Sequence, residues 1–190
     1  NPDQPVGMVN RHGSFLGGNS DPSRVSSQCK STPKGYVAAL LLDSGDILTE
    51  GPALVQYLAD LNPEAGLAPA NGTLERVRLQ EWLNFITSEI HSGSAPLFNR
   101  ELPETVRDIF KTRIFKRFDL IQTTLEGQDY LMGDGFTVAD AYLFTVLRWM
   151  PGFSINLDRW PNIVAYIQRI ADRPSVAAAY AREAEIPPVV

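Results

Sequence analysis

The segment that follows Thr137 constrains the fold of this chain more than any other. Across residues 138–149, apolar side chains lie on nearly every side of a predicted helix, at Val138, Ala141, Tyr142, Leu143, Phe144, Val146 and Leu147. A helix that is apolar all round is stable only when other helices cover it. Thr137 and Asp140 have the spacing of a capping box, which marks where this helix begins. The sequence therefore predicts a helical bundle built around it.

Further segments have the periodicity or the caps of helices that would surround it. One begins at Thr73 and ends near residues 93–96, with apolar positions mainly on one side at Leu79, Trp82, Leu83, Phe85, Ile86 and Ile90. Another follows Pro103, with apolar side chains every third or fourth residue at Val106, Phe110, Ile114, Phe118, Ile121 and Leu125. Pro161 and Pro174 each suit the first turn of a shorter helix.

The part that precedes residue 66 predicts a small α/β unit. Residues 36–42 favour a strand, residues 43–46 have turn chemistry, and residues 47–49 can return as the second strand of a hairpin. Pro52 suits the first turn of a helix that ends at Asn62. Residues 1–32 are rich in Gly, Ser, Pro and Asn, so we expect them to be irregular. Because a lone hairpin is marginal in water, it needs cover from this segment, from a second subunit or from strands absent from this sequence.

Charge and cysteine content exclude several classes of function. The 190 residues have a formal net charge of −5, whereas nucleic-acid binding needs clustered Lys and Arg, so we expect no nucleic-acid partner. No apolar run approaches the ~18 residues of a membrane span, and we expect no membrane insertion. Cys29 is the only cysteine, which favours a reducing compartment such as the cytoplasm. With His12 and His91 as the only histidines, we expect no metal site.

From Pro33 onward, a series of ordered motifs resembles bacterial beta-class glutathione transferases. They are PKGYVAAL at 33–40, LTEG at 48–51, VQYLAD at 55–60, EWLNF at 81–85, SEIH at 88–91, APLF at 95–98 and FTVADAYLF at 136–144. The resemblance covers about residues 33–182 and implies an α/β plus all-α fold. An atypical segment at 1–32 would precede the remnant of a thioredoxin-like, glutathione-binding domain at 33–66. An all-helical bundle of the glutathione-transferase type would occupy residues 67–190.

The resemblance implies three glutathione contacts in the N-terminal part. In the family, the main chain at the position of Val37 pairs with the cysteinyl part of glutathione, which is β-strand addition on a small scale. An acidic residue and a helix start, here Glu50 and Gly51, hold the γ-glutamyl end of the ligand. Glu50 can pair with the ammonium group, and N–H groups at the helix start can bind the carboxylate. Without the resemblance, Glu50 is interpreted as a capping carboxylate.

Asn84, Ser88 and His91 are spaced i, i+4 and i+7, so they are predicted to share one face of a helix. The resemblance places this face against the glutathione thiol. It implies that His91 is catalytic, either as a hydrogen-bond donor to the thiolate or as a general base, and that Asn84 and Ser88 bind glutathione. A solvated polar face and a structural histidine are the alternatives.

Two features depart from the family. Beta-class enzymes begin with a strand, a helix and a second strand, and place a Cys-Ser pair beside the glutathione sulfur, but residues 1–32 have neither pattern. Cys29 lies too close to Pro33 for that role. The family also has a cis-proline where this chain has Ala38. A cis bond costs ~2.5–4 kcal/mol before alanine and ~0.5–1 kcal/mol before proline, so we expect a trans bond and an altered glutathione contact.

The function implied is a cytoplasmic, homodimeric glutathione transferase. It would conjugate the thiol of glutathione, its co-substrate, to a small hydrophobic electrophile. Trp149, Met150 and Phe153 are candidates for lining the electrophile pocket, and core packing is the alternative for each. A noncatalytic glutathione-transferase-like binding or scaffolding protein with an impaired glutathione site remains a second hypothesis. A thiol-redox protein that uses Cys29 remains a third.

Overall fold

The computed structural model describes the backbone of Met8–Val9 and Phe15–Leu16, together with residues 39–133 and 135–185. The predictions for Val37, Ala38 and Cys29 lie outside the described residues. The described chain forms two compact units. One contains the strands, the helix that follows them as far as Leu58, and the C-terminal helix; the other contains residues 59–172. The domain limits given above remain a prediction.

The first unit contains a four-stranded antiparallel sheet with the strand order β2-β1-β3-β4. Its strands are β1, Met8–Val9; β2, Phe15–Leu16; β3, Ala39–Leu41; and β4, Ile47–Thr49. Strands β3 and β4 form the predicted hairpin, in which Leu40 lies opposite Leu48. The backbone N–H of Leu42 closes the turn by donating to the carbonyl of Asp46 at 2.9 Å. Leu40 is fully buried, so the middle of the hairpin contributes to the core.

Strands β1 and β2 correct the expectation that residues 1–32 are irregular throughout. Met8 is paired with Leu16 on one side and with Leu40 on the other. Strand β1 therefore pairs along the edge of β3 that an isolated hairpin would expose. Composition did not reveal these strands because strand formation depends on the neighbouring strand more than on local preference.

The helices follow in the predicted order. They are α1, Gly51–Leu61; α2, Leu74–Phe85; α3, Ser92–Ser94; α4, Glu104–Thr124; α5, Val138–Leu147; α6, Pro161–Ala171; and α7, Pro174–Glu185. Thr73 caps α2, since its hydroxyl accepts a hydrogen bond from the backbone N–H of Arg76 at 3.2 Å. The observed elements confirm the predicted fold class, a thioredoxin-like α/β part, altered at its N-terminus, followed by a helical bundle.

Helix α5 lies at the centre of the second unit, as its all-round apolarity predicts. It packs against α2, α6 and the helical segment that follows α2. Its buried apolar residues are Val138, Ala139, Leu143, Phe144, Val146 and Leu147. The predicted stripe of α4 is buried at Ile114, Phe118, Ile121 and Leu125. None of the helices in the described part of the chain has the length and apolarity needed to cross a membrane.

An ion pair joins the end of α1 to the first turn of α2. The guanidinium of Arg76, which is 5% exposed, donates to both carboxylate oxygens of Asp60, at 2.8 and 2.7 Å. It also donates to the carbonyl oxygen of Pro69 at 2.9 Å. The hydrogen bonds from Arg76 hold the pKa of Asp60 below its usual value. This fork fixes the connection that leads into the helical bundle.

Candidate active site

Helix α1 begins at two of the predicted site residues. Glu50 is exposed and has a φ of 73°, in the left-handed region. Such a backbone conformation costs a residue other than glycine ~1–3 kcal/mol. The carbonyl oxygen of Glu50 accepts hydrogen bonds from the N–H groups of Ala53 and Leu54, both at 3.0 Å. Because Pro52 has no N–H, Gly51 supplies the amide that this helix start can offer to an anion.

The helical path that contains Asn84, Ser88 and His91 is not a continuous α-helix. A π-helical segment, Ile86–His91, joins α2 to α3. A π turn accommodates one extra residue, so positions beyond it are rotated back by ~100°, the angle of one α-helical residue. Ser88 stays beside Asn84, since its hydroxyl donates to the carbonyl of Asn84 at 2.9 Å, and both side chains are exposed. The α-helical spacing behind the prediction does not extend through residues 86–91, and the shared face of all three side chains stays a prediction.

His91, the last residue of the π segment, contacts α5 and the segment that follows it. Its Nδ1 atom lies 2.6 Å from the hydroxyl oxygen of Tyr142. Its ring centroid lies 4.8 Å from the ring centroid of Trp149, with an interplanar angle of 77°. The side chain of His91 is half-buried. Two aromatic side chains therefore fix the imidazole in place without removing it from solvent.

A row of aromatic rings continues from His91. The ring of Trp149 meets that of Phe98 at 5.4 Å, and Phe98 meets Phe153 at 4.7 Å, both with edge-to-face geometry. Phe98 is 41% exposed and Trp149 is half-buried, so both reach the surface next to the imidazole. Met150 and Phe153 are buried and belong to the core. Of the predicted lining residues, Trp149 alone reaches the surface.

Sequence reasoning did not assign a role to Tyr142 or to Phe98. The sequence did contain a signal for Tyr142. Its hydroxyl lies on a helix that is apolar on nearly every side, and a hydroxyl that is removed from water needs a hydrogen-bond partner. Phe98 ends the APLF motif at 95–98 and lies in the 3₁₀ turn Ala95–Phe98, but no local pattern indicated which side chains it would contact. Its place beside Trp149 depends on how two distant segments pack together.

Asp140 has a structural role, as predicted. Its carboxylate is fully buried and accepts four hydrogen bonds. The donors are the backbone N–H of Leu131, the backbone N–H and hydroxyl of Thr137, all at 2.8 Å, and the hydroxyl of Tyr166 at 3.0 Å. Burial, followed by the nearby Asp140 carboxylate, raises the pKa of Tyr166 well above its usual value of 10.0. The start of α5 is thereby bound to the loop before it and to α6.

Across the described residues, 39–133 and 135–185, no group of three or more His, Cys, Asp or Glu side chains could hold a metal ion. In the first unit, an exposed carboxylate stands at a helix start, at Glu50 and Gly51. In the second unit, the imidazole of His91 stands beside a partly exposed aromatic surface.

Comparison with known proteins agrees with this chemistry. Residues 85–174 match the family model of the glutathione S-transferase C-terminal domain. The chain is 42% identical over 151 residues to glutathione S-transferase GstA of Escherichia coli O157:H7, which covers 80% of this chain and 75% of that protein.

Two solved structures are similarly close. A sphingomonad glutathione S-transferase complexed with glutathione is 39% identical, with a TM-score of 0.78 over 83% of this chain and 78% of that chain. A bacterial beta-class glutathione S-transferase of Sphingomonas chungbukensis is 41% identical, with a TM-score of 0.78 over 82% of this chain and 78% of that chain. This chain belongs to the glutathione S-transferase family and is similar to its bacterial beta class.

Proposed function

We propose that this protein is a glutathione transferase that conjugates the thiol of glutathione to a small hydrophobic electrophile. The observation that supports it most directly is the placement of His91, which is held by Tyr142 and Trp149 at the edge of an exposed aromatic surface. Its family membership and the glutathione complex of a relative that is 39% identical support glutathione as the co-substrate.

The γ-glutamyl end of glutathione is assigned to Glu50 and Gly51. A carboxylate and a helix-start amide complement an ammonium and a carboxylate group. The left-handed backbone of Glu50 supports this assignment, because glycine would occupy that conformation at lower cost. Backbone strain at a polar residue is typical of a functional site. The main chain of Val37 is assigned to the cysteinyl part, and Asn84 and Ser88 to further polar contacts with the ligand.

His91 is assigned to the sulfur. A hydrogen-bond donor beside a thiol stabilises the thiolate more than the neutral form and lowers the thiol pKa. The thiol proton leaves to solvent. A lone pair on the sulfur then attacks the electrophilic carbon and forms the S–C bond, while the leaving group departs with its bonding electrons. Holding both reactants together supplies the remainder of the acceleration.

The electrophile is assigned to the surface formed by Phe98 and Trp149. Both rings are partly exposed, and Trp149 is the one in contact with His91. An apolar molecule that covers them removes aromatic surface from water next to the assigned sulfur position, which favours binding by ~25 cal/mol per Å². Aromatic or alkyl electrophiles fit this surface better than charged ones.

We further propose a cytoplasmic homodimer. Leu74 and Val77 on α2 are 65% and 51% exposed and lie three residues apart, so they share one side of the helix. Ile109 and Leu120 on α4 are also more than half exposed. Exposed apolar side chains of this size support a protein–protein contact. Light scattering of the purified protein tests this proposal, and a mass equal to one chain at micromolar concentration would contradict it.

The enzymatic proposal is tested by retention on immobilised glutathione, followed by turnover of a chloronitrobenzene chromogenic substrate. We expect wild-type protein to be retained and active. His91→Ala is expected to lower kcat about 10- to 100-fold, the loss of one hydrogen bond to a charged group, with little change in retention. Glu50→Gln is expected to abolish retention.

Two control variants match these changes. Glu64→Gln removes an exposed carboxylate from the 3₁₀ turn Pro63–Ala65, and Thr145→Ala removes an exposed hydroxyl that bonds to its own helix. Both should behave as wild type. Retention without turnover would favour the noncatalytic binding protein instead, and failure of wild-type protein to be retained would remove glutathione from the proposal.

A further inference from the structure

The position of the His91 imidazole depends on the π-helical segment Ile86–His91. The N–H of Ser92 donates to the carbonyl of Thr87, five residues earlier, which is the hydrogen bond of a π-helix. A return to α-helical hydrogen bonding would rotate the side chains that follow the extra residue by ~100°. Such a rotation would break the contact of 2.6 Å between His91 and Tyr142. The register of the segment therefore sets the surroundings of the imidazole.

Glu89, in the same segment, joins it to α4 through an ion pair. Its Oε2 atom accepts hydrogen bonds from Nε and Nη2 of Arg117, the first at 2.7 Å. Nη2 of Arg113, four residues earlier on α4, lies 4.0 Å from the same oxygen. In the part of the chain that the structure describes, Glu89 is the only ion-pair partner of either arginine. Loss of its carboxylate would leave two neighbouring guanidinium groups without this counter-charge.

Partial burial strengthens the pair. The side chains of Glu89 and Arg117 are 30% and 26% exposed, so water and salt screen their charges less than those of a pair on the open surface. Hydrogen bonds between two charged groups are also shorter and stronger than those between neutral ones. The pair can therefore influence the conformation of the backbone that carries it.

The same pair distinguishes the π-helical register from the α-helical one. π-helical turns are rare, so this segment needs contacts with its neighbours that favour it over an α-helix. It packs against both α4 and α5. Because Glu89 and His91 lie in one segment, α-helical hydrogen bonding would rotate both, and Glu89 would leave the fork of Arg117. The fork is therefore satisfied in the register that brings His91 to Tyr142.

We propose that Glu89 and Arg117 are positioning residues, whose ion pair holds the π segment in the register at which His91 contacts Tyr142 and Trp149. This inference rests on the proposed function for the reaction that His91 serves. Both residues act through the backbone of the segment and not on the ligand. Removing the pair should then lower turnover, leave glutathione binding unchanged and alter the surroundings of the imidazole.

Kinetics of the full-length protein test the first two expectations. We expect Glu89→Gln and Arg117→Gln each to lower kcat about 3- to 10-fold, the range for one hydrogen bond, while KM for glutathione changes less than twofold. The double variant should lose little more than Glu89→Gln alone, because both changes remove one shared interaction. Wild-type kcat in Glu89→Gln, or losses that multiply in the double variant, would overturn the proposal. A higher KM with unchanged kcat would also overturn it.

Arg169→Gln is the matched control for general loss of stability. Arg169 is 35% exposed and pairs with Asp129 at 3.0 Å, so it also joins a helix to a distant segment of the second unit. Its loss should lower the free energy of unfolding about as much as Arg117→Gln does, but leave kcat unchanged. An equal loss of kcat in Arg169→Gln would overturn the positioning role.

The surroundings of the imidazole can be measured without any activity. The rings of Trp149 and Tyr142 lie 4.8 and 5.8 Å from that of His91 between centroids, so their ring currents displace its proton resonances. The chain has two histidines, and a His12→Gln variant assigns the signals of His91. We expect these signals to move toward the values of a solvent-exposed histidine in Glu89→Gln and in Arg117→Gln, but not in Arg169→Gln.

His91 signals that stay at their wild-type positions in both variants of the pair would overturn the proposal. The proposed function fails in a different way, through wild-type protein that neither binds glutathione nor turns over the electrophile. In that case the spectra still decide whether the ion pair positions His91.

Discussion

Replacing Asp140 tests how much of the bundle depends on one buried carboxylate. Each oxygen of the Asp140 carboxylate accepts two hydrogen bonds, and the side chain is fully buried. An asparagine keeps one oxygen and puts an NH₂ group where the other was. The hydroxyls of Thr137 and Tyr166 can rotate and accept from that NH₂, but a backbone N–H cannot. Either Leu131 N–H or Thr137 N–H must therefore lose its acceptor.

The expected loss of stability follows from the number of hydrogen-bond donors that lose their acceptor. One buried, unsatisfied N–H costs ~1–3 kcal/mol, and the remaining hydrogen bonds lose the strengthening given by a charged acceptor. We expect Asp140→Asn to lower the free energy of unfolding by about 2–4 kcal/mol. Asp140→Ala leaves all four donors without their acceptor and is expected to cost about 4 kcal/mol or more. Tyr166→Phe removes one donor and leaves the others satisfied, so it should cost about 1 kcal/mol.

Urea unfolding at one fixed protein concentration, followed by the fluorescence of the three tryptophans, measures these differences. If the alanine variant does not accumulate as folded protein, the comparison of Asp140→Asn with Tyr166→Phe still decides the outcome. Equal costs for these two variants would refute the reasoning, because the orphaned backbone N–H would then contribute nothing. A double variant should cost less than the sum of the two single ones, since they share one hydrogen bond.

The remaining predictions concern Glu50 and Asp60. Glu50→Gly should raise the free energy of unfolding by up to about 1 kcal/mol, because glycine adopts a φ of 73° without strain. The same variant should no longer be retained on immobilised glutathione. Lower stability together with full retention would contradict both expectations. Because Arg76 lowers the pKa of Asp60 in the folded protein, the stability that this pair contributes is present above the unfolded pKa and is lost as pH falls through the lower, folded value. Asp60→Asn should therefore cost about 1 kcal/mol near pH 7, a modest value because Asp60 is 38% exposed, and progressively less below about pH 4.

The sequence by itself determined the helices and the place of α5 among them. The signals for them are local: periodic apolar residues, prolines in first turns, and the capping pair Thr137 and Asp140. Each of these signals affects the backbone only within a few residues of its own position. The hairpin and the helix start at Glu50 and Gly51 were also predictable, because turn and cap chemistry is local. The candidate site residues followed only from the resemblance of the motifs on these elements to beta-class glutathione transferases.

Only the tertiary structure decided what His91 contacts. The π segment that ends at His91 has no local sequence signature, and the partner of His91, Tyr142, lies 51 residues further along the chain. The pairing of β1 with β3 likewise joins segments that are distant in sequence. Contacts of this kind depend on which surfaces meet when the chain packs, and a pattern with a period of a few residues contains no information about them.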